Sequence, residues 1–415
     1  MSHKYLVKGV LLMVSVGVDV SKGKSTVCMM KPYGEIVKSP YIINHTRDDL
    51  LALVAFIKTL DEEVWVVMED TGHYHWPILL FLYEEGVRVT CINSLRMKKY
   101  CSQSIRRAKT DTIDSVQIAN YGLTYWYELE PYVQRTEVFQ ALRTYSRQYY
   151  QYTCVEAKIR VNFQNLLDQV MPGISARLAD QNGRHKLTEF VYRYWHFHNI
   201  TNHSKAAFVR SFSSWAKKQG YRSNELIASE IYELAQTGIP VLPCNDSTKS
   251  IVQQLAQTLL TVDQTRIDIL SRMDELARQL PEYDLVKKMS GVGDKTVSLL
   301  ISEIGDVSRF KTKHSLIAYA GIDAPPYQSG KFDATQRTIS KRGNKYLRRI
   351  GFEVMLSLLR NKPSSDPVYM YILKKKAEGK SSKTAMIAGF NKFLRIYYAR
   401  VMELYSYIDN TRIVA

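Results

Sequence analysis

The chain has 415 residues, 45% of them hydrophobic, and a formal net charge of +17 at pH 7. That is enough apolar material for two or three domains, and a balance this positive favours a polyanionic partner. No apolar stretch is long enough to span a membrane, so membrane function classes are set aside. The five cysteines (Cys28, Cys91, Cys101, Cys154, Cys244) are scattered, odd in number and lack a CxxC pair. That pattern argues for a reduced, cytoplasmic setting and against a zinc site. About +12 of the net charge falls in residues 281–415, which marks the C-terminal third as the expected nucleic-acid surface.

Taken in chain order, Lys4 and Lys8 precede the apolar run 9–18. The outline is that of an export signal, but no small-x-small cleavage site follows and the run continues into Asp19. A buried first strand is the expectation. Strands are predicted at 14–20, 25–30 and 35–43, with the turn Lys31-Pro32-Tyr33-Gly34 between the last two. Leu50, Leu51, Leu53, Val54, Ile57 and Leu60 recur at helical spacing over 47–60. A strand at 64–68, a helix at 76–83 stopped by Gly86, a strand at 87–92 and a helix at 112–121 follow. The order β-β-β-α-β-α-β-α over 14–125 is that of a ribonuclease-H-like α/β domain.

Residues 130–280 are expected to be helical: one long helix over 133–170, a helical insertion at 174–245, and a second long helix over 247–280. The last carries an apolar stripe of Ile251, Leu255, Leu259, Val262, Ile267, Leu270 and Met273. Packing within one chain and a coiled-coil contact between two chains are both open for it. Residues 281–405 form a third, mostly helical unit.

Four acids stand out. Asp19 and Glu69 each end an apolar strand, and strand ends are where α/β domains place their chemistry. Asp111 and Asp114 share one helical face by their i, i+3 spacing. Carboxylates converging from separate elements suit divalent metal, and two Mg²⁺ ions at such a site would serve phosphodiester chemistry. A helix N-cap for Asp111 and a solvated strand end for Glu69 or Asp70 are the plainer alternatives. His73-Tyr74-His75 is spaced wrongly for joint ligation and is expected to be structural. In the C-terminal unit, Gly291-Val292-Gly293 precedes a helix and Lys295. It is either a phosphate-approaching turn of the helix-hairpin-helix kind or a tight turn only. Ser329 and Lys331 lie in a Pro/Gly-rich stretch, followed by the basic cluster Lys341, Arg342, Lys345, Arg348 and Arg349, which suits phosphate contact. On spacing alone Ser329 is a turn residue.

Together these motifs resemble the transposases of the insertion-sequence family one-ten, which includes the Piv-type DNA invertases. Gly17-Val18-Asp19, Glu69-Asp70-Thr71-Gly72 and Lys109-Thr110-Asp111-Thr112-Ile113-Asp114 look like its DEDD domain, itself similar to the RuvC Holliday-junction resolvase. Gly291-Val292-Gly293, Ala320-Gly321-Ile322, Gln328-Ser329-Gly330, Ser340-Lys341-Arg342-Gly343-Asn344 and Leu347-Arg348-Arg349 look like its C-terminal transposase domain. The resemblance implies a recombinase with a composite, Mg²⁺-dependent site and a serine that forms a covalent phosphoserine link to DNA. Ser329 matches that serine, and Ser340 is the second candidate. It further implies a homo-oligomer, donor and target DNA as substrates, and a structured noncoding bridge RNA that supplies sequence specificity by base pairing. One departure is Asp70, where the family's motif has alanine. The competing expectations are a RuvC-like endonuclease or resolvase that hydrolyses DNA with water, and a nucleic-acid-binding protein without catalysis. The four acids argue against the last, since a binder gains nothing from negative charge beside phosphate.

Overall fold

A short antiparallel pair, β1 (Leu6–Val7) and β2 (Val10–Leu11), leads into the valine-rich strand β3 (Met13–Val20). Every residue of β3 except Asp19 is buried. β3 pairs antiparallel with β4 (Lys24–Met30), and β4 with β5 (Ile36–Asn44). After helix α1 (Arg47–Lys58), strand β6 (Glu63–Glu69) runs parallel to β3 on its free side. After α2 (Trp76–Glu84), β7 (Val89–Ile92) runs parallel to β6. The resulting order, β5-β4-β3-β6-β7, is the ribonuclease-H-like sheet read from the sequence. The computed structural model describes residues 6–7, 10–11, 13–102, 110–132, 136–181, 183–324, 328–329, 332–333 and 338–414. The chain divides into two compact units, Met1–Gln134 and Arg135–Ala415.

In the first unit the two faces of the sheet are covered differently, as the strand period of two requires. Val14, Val16, Val18, Val66 and Met68 share a core with α1 and α2, including Leu50, Leu53, Val54, Ile78, Leu79 and Leu82. The opposite face carries Ser15, Gly17, Cys28 and Val67. It is covered by α4 (Asp111–Thr124), which follows α3 (Ser94–Cys101), a helix not anticipated from the sequence. α4 lies unusually close to the sheet. A Cβ on Gly17 would stand 2.2 Å from the Ser115 carbonyl oxygen and 2.3 Å from the Ala119 nitrogen, and one on Gly122 would stand 2.3 Å from Ser15 Oγ.

The second unit is mostly helical. Its helices are α5 (Glu137–Val170), α6 (Lys186–Tyr194), α7 (His198–Thr201), α8 (Lys205–Lys218), α9 (Glu225–Thr237), α10 (Asp246–Ala277), α11 (Tyr283–Lys287), α12 (Asp294–Ile304) and α13 (Lys313–Ala320). A two-stranded ribbon, β8 (Gln328–Ser329) with β9 (Phe332–Asp333), precedes α14 (Lys345–Asn361), α15 (Pro367–Ala377) and α16 (Ser382–Val414). α5 and α10 run antiparallel and take part in two separate cores. Phe139, Leu142, Tyr149 and Tyr150 of α5 join Met273 and Ala277 of α10 and the helices from α11 onward. At the other end Phe163, Leu167 and Val170 join Val252, Ala256 and Leu259 around the insertion helices, whose contribution is largely aromatic: Phe190, Phe197, Phe208, Phe212 and Trp215. The apolar stripe of α10 is thus mainly packing within the chain. Leu259, Val262 and Met273 are buried, and only Ile251 and Ile267 of the stripe stand exposed. No helix among the described residues is long and apolar enough to cross a membrane, and all five cysteines are free thiols.

The contact at Gly17 gives a direct test. Gly17→Ala forces backbone against backbone, so α4 must lift from the sheet, at a cost of about 2–3 kcal/mol. Urea denaturation followed by circular dichroism should show a lower midpoint; unchanged stability would mean that α4 is not held by close backbone packing.

Candidate catalytic and nucleic-acid-binding sites

The parallel register of β3 and β6 pairs Val18 with Met68, so Asp19 and Glu69 are the next residues along, side by side at the carboxyl ends of neighbouring strands. Both are partly buried. The position of α4 follows from its two glycine contacts. Gly122 lies over Ser15 and Val67, while Ser115 and Ala119 lie over Gly17, so the helix runs antiparallel to β3. Four residues back along a helix, about 6 Å, match roughly two residues forward along a strand. The acidic first turn of α4, with Asp111 and Asp114, therefore lies at the Asp19 end of β3. Thr110 is the N-cap of this helix, its Oγ1 accepting the Ile113 N–H at 3.2 Å. The plain capping role weighed for Asp111 is filled by its neighbour.

Architecture thus gathers all four acids at one edge of the sheet. Among the described residues, however, no three His, Cys, Asp or Glu side chains stand close enough to hold a metal ion. The donor set itself, four carboxylates, is the hard-oxygen chemistry that Mg²⁺ prefers.

Asp70, the departure from the family pattern, faces His75: its Oδ1 lies 3.7 Å from His75 Nδ1. His75 is buried at the start of α2, and burial holds its imidazole below the usual value, against the opposing pull of Asp70. The Asp70 backbone is pinned from both sides, by its N–H to the Ile92 carbonyl at 2.9 Å and by Ser94 Oγ donating to its carbonyl at 2.5 Å. Burial, aided by the charges of Asp70 and Glu69, pushes the Cys91 thiol up to about 12.

In the second unit, the segments flanking the Ser329 stretch are fastened together. Lys341 N–H donates to the Gly321 carbonyl at 3.0 Å, Ser340 N–H to the Asp323 carbonyl at 2.9 Å, and Asn344 N–H to the Tyr319 carbonyl at 2.6 Å. Ser340 Oγ donates to Asp323 Oδ1 at 2.5 Å, so the second candidate serine is engaged in this fastening. Gly321 (φ 66°) and Gly343 are in backbone contact, and a Cβ on Gly343 would meet the Tyr319 oxygen at 2.1 Å. Below them lies Glu303, fully buried, which accepts from Ser146 Oγ at 2.6 Å, Arg147 Nη2 at 3.0 Å and Asn344 Nδ2 at 2.7 Å. Asn344 Oδ1 meanwhile caps α14 by accepting the Tyr346 and Leu347 N–H groups. Glu303 and Asn344 together so link α5, α12 and α14, a network that sequence reading missed. Ser329 ends β8 opposite Phe332; its side chain and all of Lys331 lie outside the described residues.

The expected phosphate-binding residues separate into two groups. Arg348 is structural: its Nη1 donates to the carbonyls of Ala320 at 2.9 Å and Gly343 at 3.0 Å, and burial lowers its pKa. The planar guanidinium is spent on backbone oxygens, which is why the cluster counted from sequence overstates the free charge. Lys295 and Arg349 share Glu353, at 3.1 and 3.7 Å. Lys341, Arg342 and Lys345 are exposed and form no ion pair among the described residues. At the Gly-x-Gly turn, Gly291 is pressed against α14, where a Cβ would meet Val354 O at 2.8 Å. The Gly293 N–H is taken by Thr296 Oγ1 at 2.7 Å. The turn serves helix packing.

Comparison with known proteins finds matches in both units. Residues 16–172 match the DEDD-type transposase domain named for IS110, and residues 283–370 match the transposase IS116/IS110/IS902 family. A protein of insertion element IS116 from Streptomyces clavuligerus is 22% identical over 94% of both chains. The pilin gene-inverting protein of Moraxella bovis is 31% identical over 33% of this chain and 44% of its own. A solved RuvC structure from Thermus thermophilus is 12% identical with a TM-score of 0.23, covering 29% of this chain and all of that one. The chain belongs to the IS110/IS116/IS902 family of transposases and is related to the pilin gene invertases. It is a DNA-processing enzyme.

The two groups of cations predict different phenotypes. Arg348→Lys cannot reach both carbonyls and should lower stability by about 1–2 kcal/mol without changing the salt dependence of duplex binding. Lys341→Gln with Arg342→Gln should leave stability intact and reduce the log–log salt slope by about 0.9 per lost contact. Melting curves and binding titrations between low and moderate salt distinguish them; a reduced slope for Arg348→Lys would show it to be a phosphate ligand.

Proposed function

We propose that this transposase cuts and rejoins DNA through a covalent serine intermediate on Ser329, with Mg²⁺ held by Asp19, Glu69, Asp111 and Asp114. The register that sets Asp19 beside Glu69, with the acidic end of α4 at the same sheet edge, is the observation that carries the reading. Bound there, Mg²⁺ would supply Lewis-acid stabilisation of charge at the phosphate. The Ser329 Oγ forms the new bond to phosphorus, the strand's own P–O bond breaks, and the departing sugar oxygen takes up the proton. Attack by the sugar hydroxyl of another strand reverses the step and releases the serine, so one phosphodiester is exchanged for another and no external energy source is needed. Exposed Lys341, Arg342 and Lys345 lie on the C-terminal side of the serine in sequence and balance phosphate charge.

Guidance by a structured noncoding RNA, action as a homo-oligomer and work on donor and target DNA inside the cell belong to the same reading. Family membership and the +17 charge support them. Pilin gene inversion by a relative supports strand rejoining in particular.

The test is covalent trapping. Full-length protein with Mg²⁺, the element's noncoding RNA and labelled donor and target DNA is denatured and run on a gel. A DNA-linked band is expected, lost in Ser329→Ala and in Asp19→Ala, and lost with EDTA. The two substitutions should each lower recombination at least about 10³-fold. Cleavage without an adduct, unaffected by Ser329→Ala, would replace this reading with RuvC-like hydrolysis by water.

A further inference from the structure

The second unit contains a groove of 1240 Å³ bounded by α13, α15, α16 and the two segments that flank the serine stretch, through Ala324 and Thr338. Its cations are Lys313 at the start of α13, Lys341, and Lys392, Arg395 and Arg400 on α16, with His314 beside Lys313. Among the described residues the only acid on its walls is Asp323, which already accepts from Ser340. Among the described residues none of the five Lys and Arg side chains is in an ion pair. Lys392 instead lies 4.9 Å above the Tyr371 ring, and Arg395 Nε donates to Asn391 at 2.9 Å. The sequence keeps this face free of acid over a long stretch: residues 379–402 contain no Asp or Glu. Between the cations the lining is aliphatic, with Ile317, Ile322, Ile339, Ile387 and Ile396.

Those two features select the ligand. Cations alone would suit any phosphate surface, a duplex included. A duplex, however, turns its backbone outward and hides its base faces, so an aliphatic lining gains nothing from it. An unpaired strand offers both phosphates and open base faces. We propose that this groove binds an unpaired polynucleotide strand, with phosphates on Lys313, Lys392, Arg395 and Arg400 and bases against the isoleucine lining. The inference rests on the transposase reading for the role of that strand, which would lie beside the stretch carrying Ser329. The groove's affinity for a strand does not depend on the serine chemistry.

The experiment uses the full chain without Mg²⁺ and measures fluorescence anisotropy with a labelled 12-nucleotide DNA, an RNA of the same sequence and a blunt DNA duplex, over a range of salt. Lys392→Glu with Arg395→Glu should weaken strand binding at least roughly tenfold while the duplex loses less. Lys392→Gln with Arg395→Gln, milder on the fold, should reduce the strand's salt slope by about 1.4. Lys217→Glu with Lys218→Glu, exposed on α8, makes the same charge change outside the groove and should have no such effect. Whichever of the DNA and RNA strands loses more identifies the source of the strand. Unchanged strand affinity in both groove variants, or an equal loss for strand and duplex, would overturn the proposal. The two readings fail separately. Ser329→Ala should keep strand binding and lose the adduct. An adduct in Ser329→Ala would remove the serine reading alone, and normal strand binding by the groove variants beside a wild-type adduct would remove the groove alone.

Discussion

Backbone laid directly on backbone is the constraint on which both units depend. At Gly17, α4 sits so close to β3 that even a methyl group would collide with its peptide bonds. This contact leaves the helix little freedom to slide, because a residue-sized step would bring side chains into a gap that has no room for them. The position of Asp111 and Asp114 relative to Asp19 is therefore set several residues away from any of the acids. The second unit repeats the device where Gly321 meets Gly343 and brings the two flanks of the serine stretch together. In both places function-bearing side chains are placed by residues that have none.

Charge is managed by the opposite means. Buried charge is costly unless fully partnered, and Glu303 shows the requirement met: two donors from α5 and one from the cap of α14 converge on one carboxylate. The Arg147 that serves it also lies 3.6 Å over the Tyr346 ring, which offsets part of its own desolvation. Asp19 and Glu69 stand side by side at the ends of parallel strands. Neighbouring carboxylates repel one another, and a divalent cation would offset that repulsion, in keeping with the reading proposed for the site.

The sheet was legible in the sequence because its strands are short valine-rich runs bounded by turn residues, and because β3 and β6 are buried on both faces. The cross-strand register of Asp19 and Glu69 was not legible, since nothing in either segment fixes how far one slides past the other. The close contact at Gly17 was invisible too: a glycine in a strand announces a near neighbour without saying which. In the second unit the aromatic clusters of 174–245 were visible but their partners were not, because the core they join is completed by α5 and α10 from either side. The basic cluster misled in one respect. Arg348 and Lys341 are equivalent as charges in a sequence, yet one donates to two carbonyls and the other stands in solvent.

The acid-free stretch 379–402 shows how a weak sequence signal becomes a strong one on folding. Its three cations near the middle of α16 recur at three and five residues, unremarkable on a solvated helix. Packed beside α13 and the segment around Lys341, the same side chains line one groove with isoleucines between them. Charge is then concentrated by topology rather than by composition. A count of +12 over the C-terminal third favours a polyanionic partner; the placement of these few residues is what the strand-binding proposal rests on. Cations committed to the fold, such as Arg348, and cations left in the groove differ only in whether a backbone oxygen reached them first.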